Sequence, residues 1–162
     1  MRERLTTGEV AVIGLARSGL VAAQLAARGG ARVYASDAGT QPAPAPGAPK
    51  DAPDPLVALG IDTEYGGHDL ARIARAGLAV VSPGVPPDAP PVRAARAAGV
   101  PVVSEVELAL WFLPETRIIA VTGTNGKTTV TALVAHLLRA LGADATAAGN
   151  IGLALGELAL QP

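Results

Sequence analysis

Short apolar runs alternate with stretches of helical spacing along the chain. Val10-Ala11-Val12-Ile13 stops at Gly14, and Arg32-Val33-Tyr34-Ala35-Ser36 stops at Asp37. Leu78-Ala79-Val80-Val81 stops at Ser82-Pro83-Gly84, and Pro101-Val102-Val103 stops at Ser104. A further run, Arg117 to Val121, leads into a glycine-rich loop. Continuous apolar runs of this length, closed by turn residues, suit parallel strands buried on both faces. Between them, Leu20-Val21, Gln24-Leu25 and Arg28 predict a helix after the first loop. Val92 to Ala98 predicts a second, with Gly99 as its C-terminal cap. Ser104-Glu105-Val106-Glu107 has the S-x-x-E form of a capping box and opens a helix toward Trp111-Phe112. Val130, Leu133, Val134, Leu137, Leu138 and Leu141 form one apolar stripe at helical spacing, with Gly142 placed to cap it. The alternation predicts an α/β fold: a Rossmann-like parallel-sheet N-terminal domain, followed by the start of a second unit built on the later glycine loop.

Two segments break the pattern. Residues 41–55 carry six prolines, at 42, 44, 46, 49, 53 and 55. Their fixed φ and missing N–H groups exclude a regular element, so an extended surface loop is expected. Leu113-Pro114-Glu115-Thr116 reads as a hinge. Residues 1–113 then form a four-strand domain. Residues 114–162 hold one strand, one loop, one helix, a short strand over 143–147 and a further helical stretch. That is too little to bury a core of its own, so this second unit is expected to be truncated.

The candidate chemistry lies in the loops. Val121-Thr122-Gly123-Thr124-Asn125-Gly126-Lys127-Thr128-Thr129 succeeds a strand pattern and opens a helix. Gly123 and Gly126 let successive N–H groups point inward at a helix N-terminus, which makes an anion site. Lys127 adds a full charge for the β- and γ-phosphates of ATP, and Thr128 adds a hydroxyl suited to Mg2+. Thr124, Asn125 and Thr129 complete the cradle. The usual form is G-x-x-x-x-G-K-[ST], and Val121 stands where its first glycine would be. A plain glycine turn with a solvated lysine is the alternative. Against it stand the strand–loop–helix setting, the paired threonines, and the scarcity of lysine, since only Lys50 and Lys127 exist.

Gly14-Leu15-Ala16-Arg17-Ser18-Gly19 resembles G-x-G-x-x-G with Ala16 in the middle position. Asp37 stands where a ribose-binding acid is expected. Alone, this pattern suits either a dinucleotide site or a tight turn without a ligand. A chain with a separate ATP loop uses the first loop for a different diphosphate.

Composition narrows the partners. Net charge is −1, which argues against a nucleic-acid surface. There is no cysteine, so neither disulfides nor thiolate metal sites are available. No apolar run approaches the ~20 residues that span a bilayer. Arg2 and Arg4 precede an apolar stretch, but that stretch is short and is soon interrupted by Arg17, which argues against an export signal.

The order of motifs then resembles a known family. A Rossmann-like first domain, Ser82-Pro83-Gly84, Gly123 to Thr129, and Gly149-Asn150-Ile151-Gly152 together resemble the Mur ligases of peptidoglycan synthesis. The displaced first glycine is that family's own loop form. Asn125 and Ser82-Pro83-Gly84 favour the branch that adds D-glutamate to UDP-N-acetylmuramoyl-L-alanine over the alanine-adding branch. The resemblance implies ATP-dependent amide formation through an acyl phosphate, with Lys127 and Thr128 as catalytic residues. It implies that Arg17, Ser18, Gly19, Asp37, Gly84 and Asn150 hold the UDP substrate. It implies a cytoplasmic monomer. The family also needs a carbamylated lysine, an acidic residue and a histidine from later segments, so the 162 residues alone are expected to be inactive. A UDP-sugar or nucleotide-binding module without catalysis, another Mur ligase, and an NAD-dependent oxidoreductase fragment are the other readings. His68 is read as a loop or helix-start residue, Glu107 as a cap, and Trp111-Phe112 as packing at the unit junction. Glu105 lies near that junction without an assigned role.

Overall fold

The computed structural model describes residues 5–41, 54–113, 115–149 and 152–161. Most of the proline-rich segment, with Lys50, lies outside the described residues, as do Arg2, Arg4 and Asn150.

Five strands form one all-parallel sheet: β1 (Glu9–Ile13), β2 (Arg32–Asp37), β3 (Asp62–Tyr65), β4 (Leu78–Val81) and β5 (Val102–Ser104). Their spatial order is β3-β2-β1-β4-β5. Val10 pairs in register with Val33 on one side and Leu78 on the other. Side chains alternate across a strand, and β1 shows the result. Val10 and Val12 enter one core with Val33, Leu78, Val80 and α1 (Arg17–Arg28). Ala11 and Ile13 enter a second core with Tyr34, Ala79, α2 (Leu70–Ile73) and α3 (Pro90–Ala97). Every residue of β1 is buried, which is why it reads as an uninterrupted apolar run from Val10 to Ile13, after the buried, paired Glu9.

The sequence predicted four strands in this domain, and the structure adds β3. Asp62, Thr63, Glu64 and Tyr65 lie at the sheet edge with none fully buried, so no apolar run marks them. The short helix α2 also escaped prediction. It is started by Asp69, whose carboxylate accepts the N–H of Arg72 at 2.9 Å. Ser104 does the same for α4 (Glu105–Leu110), accepting the N–H of Glu107 at 3.1 Å as its motif foretold.

The second unit departs further from expectation. Residues 117–121 and 143–147 form no strands. Among the described residues they have no sheet neighbour, and strands exist only by pairing. Ile118 and Ile119 are 52% and 61% exposed. The helix α5 (Lys127–Ala140) forms as predicted and ends at Gly142, whose N–H bonds the carbonyl of Arg139 at 3.0 Å. Its stripe, however, leaves Val130, Leu133, Leu137 and Leu141 exposed.

The last helix, α6 (Leu155–Leu160), packs on α1 and α4 of the first domain. A Cβ on Gly156 would lie 2.6 Å from Cγ1 of Val21, so the bare glycine sets how closely α6 approaches α1. Among the described residues, no helix is long and apolar enough to cross a membrane.

Candidate functional site

The sheet order reverses between β1 and β4, and in open parallel sheets ligands bind at the carboxyl ends of the strands flanking such a point. Three loops meet there. Gly14 comes after β1 with φ +88°, a conformation that side chains resist. The Ser82 hydroxyl, at the end of β4, donates to the Gly14 carbonyl at 2.8 Å. Asp37, at the end of β2, accepts the N–H of Leu15 at 2.5 Å and that of Gly39 at 2.7 Å. The Gly14 N–H in turn donates to the carbonyl of Ser36 at 2.8 Å.

Gly19 lies inside the first turn of α1. A Cβ there would lie 1.8 Å from the Gly14 carbonyl oxygen, so only glycine lets the loop fold back onto the helix. Ala16 is tolerated because the helix begins immediately after it, with Ala16 extended at φ −67° and ψ 178°. Gly84 is exposed, and a Cβ on it would meet nothing within 4 Å, so its side of the crevice is open.

Ser18 lines a cavity of about 220 Å³ with Pro83, Glu105, Val106, Gly149 and Leu155. The cavity draws together the first loop, the Ser-Pro-Gly turn and the glycine stretch before α6. Burial pushes the Glu105 carboxyl above the usual carboxylate range. Arg17 is 67% exposed and makes a bidentate pair with Glu157 of α6, at 2.8 and 3.0 Å. That pairing holds the Glu157 carboxyl below its ordinary range.

The second glycine loop stands at the head of α5. Gly126 is the N-cap of α5 in the left-handed region, at φ +77°. Gly123 also has positive φ, at +146°. The Lys127 ammonium folds over the loop and donates to the carbonyls of Gly123 and Thr124 at 2.6 and 3.4 Å. Thr124, Asn125, Thr128 and Thr129 are exposed around it. A donor set of backbone N–H groups, one ammonium and two hydroxyls suits a polyphosphate. Among the described residues no group of three or more His, Asp or Glu side chains could hold a metal by itself. The Thr128 hydroxyl is a suitable single ligand for Mg2+ when phosphate oxygens supply the rest.

Other residues take structural places. His68 lies in the loop before α2, with Nδ1 2.9 Å from the Ser36 hydroxyl, and burial pushes its pKa down. Trp111 joins the first-domain core and Phe112 packs beside Gly29. A cavity of about 1390 Å³ lies between Phe112, Ile119, Val134 and Leu138, and none of residues 123–129 lines it. The sequence marked Ser82 only as part of the Ser-Pro-Gly motif; its bond to the Gly14 carbonyl gives it a positioning role that the motif did not show.

The comparisons with known proteins identify the family. The family described as Mur ligase MurD-like, N-terminal domain, matches residues 8–104, and the Mur ligase middle domain matches residues 121–158. The chain is 44% identical over 158 residues to a UDP-N-acetylmuramoylalanine–D-glutamate ligase of Chlorobaculum tepidum, covering 94% of this chain and 32% of that protein. It is 46% identical over 154 residues to the same-named ligase of Anaeromyxobacter dehalogenans, covering 94% and 31%. Among solved structures, a murein peptide ligase of Psychrobacter arcticus is similar with a TM-score of 0.55 at 25% identity, over 83% of this chain and 27% of that one. The UDP-N-acetylmuramate-alanine ligase of Thermotoga maritima is similar with a TM-score of 0.50 at 26% identity, over 83% and 30%. The chain thus spans about a third of the length of the curated relatives it matches.

Proposed function

The chain belongs to the Mur ligase family, through its MurD-like N-terminal and middle-domain segments, and from that premise we propose that the whole protein joins D-glutamate to UDP-N-acetylmuramoyl-L-alanine with hydrolysis of ATP to ADP and phosphate. The observation that carries the reading is the presence of two separate phosphate-type loops on one chain. One is the Gly14–Gly19 crevice at the sheet reversal, braced by Ser82 and Asp37. The other is the Gly123–Thr129 loop at the head of α5. Curated relatives bearing the D-glutamate ligase name share both segments.

In this reading the first crevice holds the uridine diphosphate. The N–H groups at the start of α1 face its phosphates, with Ser18 and Gly84 at its open side. Asp37 holds the loop in place by its bond to the Leu15 N–H. Asn150 contacts the sugar–peptide part.

The second loop takes ATP. Lys127 exchanges its bonds to the Gly123 and Thr124 carbonyls for phosphate oxygens. Thr128 would hold a Mg2+ ion, which when bound would neutralise charge on the phosphates. A carboxylate oxygen of the substrate attacks the γ-phosphorus, ADP leaves, and an acyl phosphate remains. The D-glutamate amine then attacks the acyl carbon and phosphate departs, giving the amide. Phosphoryl transfer needs positioning and charge neutralisation above all, and the loop residues are of that kind. The reaction is placed in the cytoplasm, where ATP and nucleotide-linked precursors occur together, and the protein is read as a monomer.

Thermal unfolding with separate ligands tests the reading. A ligand at 100 times its dissociation constant stabilises by ~2.7 kcal/mol. For a chain of this length that is a rise of roughly 5–10 °C. UDP-N-acetylmuramoyl-L-alanine is expected to raise the midpoint and NADH to leave it unchanged. A rise with NADH and none with the UDP compound would replace this reading with a dinucleotide-dependent one.

A further inference from the structure

Arg17 opens α1, at the mouth of the crevice assigned to a diphosphate. It is the cation of the first loop, yet its Nε and Nη2 are both taken by Glu157, which lies 140 residues away on α6. An approaching anion therefore meets a neutralised pair where the sequence alone shows a free guanidinium. The pair is mostly exposed at its Arg17 end, with 67% of that side chain open to solvent. Exposed pairs of this kind are weak and exchange readily.

Glu157 has a second partner at hand. Its Oε2 lies 3.4 Å from the N–H of Ala154, the N-cap of its own helix. Released from Arg17, it would remain satisfied as the helix-start carboxylate. The rest of α6 does not depend on Arg17. Arg28 donates to the carbonyls of Leu160 at 2.7 Å and Ala159 at 3.4 Å, and Gly156 seats the helix against Val21.

We propose that Glu157 is an affinity-setting residue for the first loop: it competes with the phosphates of a nucleoside diphosphate for the Arg17 guanidinium, so that ligand binding and the Arg17–Glu157 bridge exclude one another. The proposal rests on the reading of the first crevice as a diphosphate site. Because such coupling is reciprocal, the ligand weakens the Arg17–Glu157 bridge by the same factor.

The test is calorimetric titration of the 162-residue chain with UDP at fixed ionic strength, using wild type, Glu157→Gln, Arg17→Ala, the double variant and Arg28→Ala. Glutamine keeps the shape and the Ala154 contact while removing the charge. Glu157→Gln should bind UDP about 1.5- to fivefold more tightly, the scale of one exposed charge pair. Arg17→Ala should bind more weakly, and the double variant should match Arg17→Ala, because Glu157 acts only through Arg17. Should Glu157→Gln fail to fold by circular dichroism, Glu157→Ala takes its place.

Unchanged or weaker binding by a folded Glu157 variant overturns the proposal while leaving the diphosphate reading intact. An equal gain in Arg28→Ala, which loosens α6 without touching Arg17, also overturns it. If folded wild type and every variant ignore UDP, the diphosphate reading falls, and this inference falls with it.

Discussion

The Ser82 hydroxyl donates to the buried Gly14 carbonyl at 2.8 Å, joining the ends of β4 and β1 at the point where the sheet order reverses. The bond spans the place where a ligand of such a sheet sits, and it holds the loop in the shape that Gly14 alone can adopt. Ser82→Ala leaves that carbonyl without its partner. It should lower stability by about 1–3 kcal/mol, the cost of an unmade buried hydrogen bond. Chemical denaturation measures this. It should also weaken UDP binding, whereas a loss of stability with unchanged UDP affinity would make Ser82 purely structural.

Gly19→Ala tests the closeness of loop and helix. The added methyl would fall 1.8 Å from the Gly14 oxygen, a backbone atom that cannot turn aside. The first turn of α1 must move, and the expected cost is about 2–4 kcal/mol, as for other overpacked or strained sites. By contrast Gly84→Ala, with open space around it, should keep wild-type stability and change only ligand affinity.

Lys127→Ala separates the two loops. The ammonium touches only carbonyls of its own loop, those of Gly123 and Thr124, and the side chain is exposed. Its removal should leave the melting midpoint within about 1 °C, as expected of a surface substitution. It should abolish any thermal shift by Mg-ATP while preserving the shift by the UDP compound. Loss of both shifts together would mean that the two loops are one site.

At the opposite end of the sheet, Glu9 is 7% exposed and pairs with Arg72, at 2.7 and 2.8 Å, and with Arg32 at 3.1 Å. Arg72 also stacks over the Tyr34 ring at 4.3 Å. The hydrogen bonds from Arg72 hold the Glu9 carboxyl below its ordinary value of 4.5. Its contribution to stability is therefore fully present above that value and is lost as pH falls through the folded pKa. Glu9→Gln should flatten the dependence of unfolding free energy on pH below about 4.5. Arg72→Met should cost about 2–3 kcal/mol at neutral pH, less than a fully buried pair because Arg72 is partly exposed.

Much of this protein was settled by sequence, for a physical reason. A strand buried on both faces is mostly apolar, so β1, β2 and β4 announce themselves as runs ending in turn residues, and β5, although at the sheet edge, still shows Val102-Val103. Glycine loops read equally well, because left-handed backbone at Gly14 and Gly126 leaves few alternatives in residue type. Signals of this kind are local, and so is the helix-starting bond of Ser104.

Tertiary structure decided the features that depend on partners remote in the chain. β3 exists because β2 offers it an edge, not because Asp62-Thr63-Glu64-Tyr65 is apolar. Residues 117–121 have the pattern of a strand and no neighbour among the described residues to make them one. The hydroxyl of Ser82 and the charge of Arg17 acquire their meaning from Gly14 and Glu157, which folding alone brings to them. Composition and periodicity fix what a segment can be; hydrogen bonds and ion pairs across 68 and 140 residues fix what it does.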